Sequence, residues 1–263
     1  MISLAALVDQ VQVWLLILAR IIGWVMTAPV ISSRAVPAPV QMGLAGVVAL
    51  LVAQTVIPAQ GAAVAGLALS AYLFEVVKQW LIGAAIGFMA SVLFTAAEMA
   101  GQLIDIQMGF SMVTLFNPQF GTNGSILANW QMWLTSVVFL GIDGHLAMLS
   151  ALLHSFEWIH LGAGIPVGPV AEVVARSVAV LFILGVQLAA PLLLTLLLID
   201  VILAFVSRAA PQTNLLFVAL PGKILAGWGI ALGTLPVLIL GIERVMGWMN
   251  QAVDGVLRAL GTG

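Results

Sequence analysis

The chain has 263 residues, 63% hydrophobic and only 7% charged, with a formal net charge of −2 and a mean hydropathy of +1.20. Soluble domains carry roughly a quarter charged residues, so most of this surface does not face water. The near-neutral balance excludes a nucleic-acid partner held by charge, and the lack of cysteine excludes disulfides and thiolate metal sites.

The N-terminal run M-I-S-L-A-A-L-V-D-Q carries Asp9 and no early basic residue. That is not the pattern of a cleaved signal peptide, so the first apolar segment is expected to be retained. A first helix is expected over about 4–28, ended by Pro29. The proline-containing loop A-P-V-I-S-S-R-A-V-P-A-P leads to a second helix over about 40–56, then a small-residue turn from Pro58 to Gly66. A third helix over about 68–107 contains Y-L-F-E-V-V-K-Q-W and A-A-E-M-A-G-Q-L-I-D-I-Q. At 1.5 Å per residue it would be roughly 60 Å long, twice the hydrocarbon core, so it is expected to kink, tilt or project beyond a membrane.

Residues 108–125, M-G-F-S-M-V-T-L-F-N-P-Q-F-G-T-N-G-S, cannot continue as helix, because Asn117-Pro118 and the glycines behind it break the run. A fourth helix is expected over about 125–158, interrupted at G-I-D-G (141–144). After the loop L-G-A-G-I-P-V-G-P (161–169), a fifth runs over about 170–208 with a kink at Pro191. The break A-A-P-Q-T-N (209–214) opens a last region ending near Leu260, with further breaks at Pro221-Gly222 and Pro236.

No apolar stretch alternates with period two, so the expected fold class is all-α, an irregular multi-helix membrane-associated protein with kinked helical hairpins. Charge-free runs between Arg34 and Glu75, from Ile106 to Ile142 and from Ser177 to Ile199 each exceed the roughly 18–20 residues of a membrane span, which fits a multi-spanning helical membrane protein or a helical protein buried among equally apolar partners. Broken backbone in lipid needs protein around it, and small residues such as those of L-I-G-A-A-I-G-F permit close helix contact.

Polar side chains in such a chain are the candidates for chemistry. Glu98 and Asp105, seven residues apart on one helical face, could line an acidic path or bond to a neighbouring helix. Glu75 and Lys78 read as a self-neutralising pair near a helix end. Asp143, between glycines and beside His145, resembles the aspartate of intramembrane proteases, but Ile142 stands where that pattern has glycine. A turn at the membrane edge is the simpler reading. His145, His154 and His160 lack metal-ligand spacing, and no phosphate loop or nucleophile elbow is present, so neither cofactor nor enzymatic activity is expected. An ion-coupled small-solute transporter using Glu98, Asp105 and Asp200 is the alternative of another class, but the two halves lack matched breaks.

Five stretches carry a family resemblance: A-R-I-I-G-W-V-M-T-A-P-V (19–30), A-A-E-M-A-G-Q-L-I-D-I-Q-M-G-F (96–110), the broken segment after it, L-L-I-D-V-I-L-A-F-V-S-R-A-A-P-Q-T-N (197–214) and L-P-G-K-I-L-A-G (220–227). Together they resemble the FliR/SctT family of type III export-gate proteins over the whole chain. Leu216, Ala219 and Gly222 depart from common family residues.

The resemblance implies a subunit of the flagellar type III export gate, with a FliP-like portion over 1–168 followed by a FliQ-like portion over 169–263. It implies FliP and FliQ as multi-copy partners and FlhB at the entrance. Unfolded flagellar proteins would be the cargo, and the inner membrane and flagellar basal body the location. An injectisome subunit of SctT type is the alternative within the family. It further implies a pore plug made of Phe110, Ser111, Met112, Val113, Thr114, Leu115, Phe116, Asn117, Pro118, Gln119 and Phe120. An uncharged Met/Phe-rich segment can seal a channel to ions by excluding water. Glu98, Asp105, Gln107, Asp200, Arg208, Pro211, Gln212, Asn214, Pro221 and Lys223 are the candidate polar and structural interface residues.

Overall fold

The computed structural model describes residues 4–33, 35–110, 125–164, 167–209, 215–233, 235–236, 239–241, 243 and 247. Among them the regular structure is helical: α1 (Leu4–Thr27), α2 (Ala38–Gln60) with a 3-10 turn at Gly61–Ala63, α3 (Leu69–Met108), α4 (Ile126–Gly141), α5 (Gly144–Trp158), α6 (Val167–Ala209) and α7 (Leu215–Gly233). No strand occurs among the described residues. The chain is all-α, as its hydrophobic pattern predicts.

Two expected breaks are not breaks. α2 runs through Pro58 to Gln60, where a turn is expected from Pro58 onward. α7 runs through Pro221-Gly222, where a break is expected. A proline inside a helix forfeits one hydrogen bond. In apolar surroundings, leaving the helix would forfeit several without water to replace them, so the helix continues. The break at 141–144 is real: α4 ends at Gly141, Asp143 takes a left-handed φ of 58°, and α5 starts at Gly144.

Leu7–Thr27, Ala38–Ala63, Leu69–Met108 and Ala175–Ala209 are each long and apolar enough to cross a membrane, and the bent pair α4–α5 passes the same test jointly. The protein is therefore a multi-pass membrane protein by helix length and composition. Singly, α4 with 16 residues and α5 with 15 reach only about 24 Å and 22 Å, short of a 30 Å core.

The chain forms two compact units. One comprises Met1–Val92, Asp143–Ser177 and Gly247–Gly263; the other comprises Leu93–Ile142 and Val178–Met246.

In the first unit α1 buries Val13, Leu16, Ile17, Arg20, Ile21, Trp24 and Val25, one stripe at three- and four-residue spacing. Its opposite side, including Leu7, Val8, Val11 and Leu15, is apolar but exposed, as a face toward lipid or another protein would be. Contact between α1 and α3 is backbone on backbone. A Cβ added at Gly83 would overlap the Arg20 carbonyl, and one at Gly87 would lie 2.8 Å from the Trp24 carbonyl oxygen. Gly83 and Gly87 form the G-x-x-x-G spacing that lets apolar helices approach where lipid supplies no hydrophobic drive. Thr27 Oγ1 donates across this seam to the Ala84 carbonyl at 3.1 Å.

In the second unit the core joins Ala97, Ala100, Ile104 and Met108 of α3 to Leu127 of α4, Leu188, Ala189, Leu192 and Leu196 of α6, and Ala231 of α7. Phe94 meets Phe139 edge-on at 5.3 Å, and Trp130 meets Trp228 edge-on at 5.8 Å.

Candidate functional site

In the second unit, the end of α3 leads into the broken segment. Gly109, at φ +88°, stops the helix. Its N–H donates to the Ile106 carbonyl at 3.1 Å and the Phe110 N–H to the Asp105 carbonyl at 3.0 Å. That pair of bonds is the Schellman arrangement, which uses a glycine in the left-handed region to satisfy the last carbonyls. Phe110 packs, partly buried, on the second unit's core. Ser111, Met112, Val113, Thr114, Leu115, Phe116, Asn117, Pro118, Gln119 and Phe120 lie outside the described residues.

The description resumes at Ser125, directly before α4. A serine here ordinarily caps its own helix by accepting from a first-turn N–H. Ser125 makes no such bond; its Oγ donates to Asp105 Oδ2. The Asp105 carboxylate does the capping: Leu127 N donates to Oδ1 at 3.2 Å and to Oδ2 at 3.1 Å, and Ala128 N to Oδ2 at 3.4 Å. A carboxylate suits this position because the helix N-terminus carries partial positive charge. One turn earlier on α3, an added Cβ at Gly101 would fall 2.6 Å from Ala128 N, so the two helices touch there through backbone.

A second cluster joins α3, α6 and α7. Asp200 accepts from Gln107 Nε2 at 2.6 Å through Oδ2 and pairs with Lys223 Nζ at 2.6 Å through Oδ1. Lys223 is mostly buried while Asp200 is half-exposed. Three of the sequence candidates thus meet at one point. Glu98 does not join Asp105: it is exposed and accepts from Gln102 of its own helix at 3.3 Å. Arg208 sits exposed in the last turn of α6, where a cation faces the partial negative charge of the helix end. Pro221 is exposed within α7. Pro211, Gln212 and Asn214 lie outside the described residues.

The largest polar network among the described residues lies in the first unit. Arg20 has no exposed surface. Its Nε donates to Gln79 Oε1 at 2.6 Å, Nη1 to the Ser155 carbonyl at 2.8 Å, and Nη2 to the Ile159 carbonyl at 2.9 Å. Its guanidinium also lies 4.1 Å from the centre of the Phe156 ring. Gln79 donates onward to Glu75 Oε1 at 2.6 Å, and Glu75 pairs with Lys78. Gly162 N donates to Glu75 at 2.9 Å, Lys78 Nζ donates to the Ala163 carbonyl at 2.6 Å, and Gln60 holds the Phe156 carbonyl and the Leu161 N–H. The Glu75–Lys78 pair expected from spacing is present, and it is buried. Arg20, Gln60 and Gln79 escaped the sequence reading. The available signal was a lone arginine in the otherwise apolar run A-R-I-I-G-W, which cannot stand in such a helix unpartnered.

The turn Gly141–Gly144 leaves Asp143 and His145 exposed, and His154 Nδ1 lies 2.9 Å from Glu157 Oε2 on the exposed side of α5. No group of three or more His, Asp or Glu side chains among the described residues could hold a metal ion.

Each of these clusters binds backbone or completes another polar group, as structural polar sites in a helical membrane protein do. The chain belongs to the bacterial export proteins, family 1, whose pattern matches residues 11–249. It is 26% identical to the flagellar biosynthetic protein FliR of Bacillus subtilis (strain 168), over 97% of this chain and 98% of that one. With FliR of Escherichia coli (strain K12) it shares 31% over 84% of this chain and 83% of the other. It is also 32% identical to Yop proteins translocation protein T of Yersinia pestis, over 56% and 57% of the two chains. The family resemblance read from the five sequence stretches is thereby shown.

Proposed function

We propose that this protein is a non-enzymatic subunit of the flagellar type III export gate, assembling in the bacterial inner membrane within the flagellar basal body. With FliP and FliQ it forms a pore for unfolded flagellar proteins, and FlhB acts at the entrance. Residues 110–120 plug that pore, and the stretches 1–168 and 169–263 play FliP-like and FliQ-like parts. The observation that carries the reading is the end-to-end match to a flagellar relative, 97% of this chain against 98% of the other. The match to the Yersinia translocation protein covers 56% of this chain, which supports the flagellar over the injectisome reading.

Apolar side chains exposed along α2 and α6, among them Leu50, Leu51, Phe182, Leu198 and Phe205, suit a subunit covered by lipid and by partner helices. The test is co-expression. A tagged chain made with FliP and FliQ is expected to purify with both as one stable assembly and to aggregate when made alone. A monodisperse chain that purifies alone and leaves both partners behind would overturn the proposal.

A further inference from the structure

Along the second half of α3, Thr95, Glu98, Gln102 and Ile106 are exposed at spacings of three, four and four residues, and the positions between them are buried or half-buried. Such spacing follows one side of a helix, so the four form a strip one side chain wide. Three of them are polar. The first half of α3 is the contrast, since it exposes Leu73, Phe74, Val77 and Leu81, and α4 and α6 likewise expose Trp133, Val137, Val186 and Leu194. Within 93–142 the charged residues are Glu98 and Asp105. Asp105 is buried and engaged at the start of α4. Glu98 is exposed, and its carboxylate accepts from the neutral amide of Gln102 at 3.3 Å. No Lys, Arg or His among the described residues pairs with it. A carboxylate left against lipid in this way is expensive.

We propose that Thr95, Glu98 and Gln102 form the contact for a helix of a partner gate subunit that presents a lysine or arginine to Glu98; the inference rests on the proposed assembly with FliP and FliQ. A line of residues at these spacings meets one facing helix along its length. Its flanks are closed by this chain's own packing, because Met99 lies against Gly185 of α6 and Leu103 against the unit's core. Charge settles what the facing helix carries: a cation completes the carboxylate and fixes the register of the two helices. Thr95 and Gln102 frame that pair with neutral polar groups. A water-filled passage also tolerates a carboxylate, but its lining has no reason to narrow to one residue and to continue into Ile106, which is 63% exposed.

The experiment uses the full-length chain co-purified with FliP and FliQ. A photoreactive amino acid in place of Gln102 is expected to cross-link to one partner, at a segment containing lysine or arginine. Glu98→Lys is expected to cut recovery of that partner by more than about tenfold, because like charges then meet. Reversing the mapped basic residue to glutamate should restore it, and Glu98→Gln should lose less than Glu98→Lys. Because the chain has no cysteine, Glu98→Cys places one reporter thiol at the strip. Slow reaction of that thiol with a charged maleimide in the assembly, against fast reaction in the denatured chain, is the expected result. Equally fast reaction without a partner cross-link means that the strip faces water and overturns the proposal. So does normal assembly of Glu98→Lys, or a loss that no charge reversal restores. These outcomes leave the gate reading standing; a native chain that brings down neither FliP nor FliQ removes both.

Discussion

Arg20 donates its hydrogen bonds to a neutral amide, a serine hydroxyl and two helix-end carbonyls, and reaches the carboxylate of Glu75 only through Gln79. Glu75 also carries Lys78, so this buried network holds two cations and one anion. The surplus positive charge is met by backbone: Arg20 sits at the C-terminal end of α5, where the helix carries partial negative charge, and Lys78 takes the Ala163 carbonyl. Removing one member of a buried polar network is costly because the others are left unpaired. Arg20→Met strands the Gln79 amide oxygen and the Ser155 and Ile159 carbonyls but no charge, and is expected to lower the stability of the purified assembly by about 1–3 kcal/mol, read as a drop in its thermal midpoint. Arg20→Lys keeps the charge but loses the planar fork, and should fall between the two. An unchanged midpoint for Arg20→Met would mean that the network contributes nothing net.

Among the elements, the α1–α3 seam and the exposed side of α2 make opposite demands on glycine. At Gly83 a methyl group would strike the Arg20 backbone, whereas at Gly43 nothing lies within 4 Å. Gly83→Ala is expected to destabilise by roughly 1–3 kcal/mol through overpacking. Gly43→Ala should gain about 0.5–1 kcal/mol from helix propensity. Thermal midpoints of the two variants check the pair, and the same sign for both would contradict the seam as described.

Helix positions were largely legible, because proline, glycine and charge-free runs mark them. The first helix expected over about 4–28 is Leu4–Thr27, the third expected over about 68–107 is Leu69–Met108, and the break at 141–144 falls where expected. The breaks expected at Pro58 and Pro221 do not occur, since a soluble chain can leave a helix into water and this one has little water to leave into.

At the scale of the whole molecule, what the sequence could not give was which polar groups meet. Gln107, Asp200 and Lys223 stood out as polar residues in apolar helices, but nothing local says that residues 93 positions apart bond. Likewise Glu98 and Asp105 share a helix face in the pattern, yet one is exposed and the other buried against the start of α4. Periodicity assigns a face to a side chain; only packing assigns its partner.

The central proposal is that the uncharged sequence between α3 and α4 keeps an export pore closed to ions. The direct test is bilayer conductance of the purified assembly in which Met112, Leu115 and Phe116 are all replaced by serine. Serine leaves the segment's length and its Asn117-Pro118 step intact while removing the apolar side chains that exclude water. The account predicts a marked rise in conductance over the native assembly at equal protein content. A fully assembled triple-serine gate as tight as the native one would contradict it.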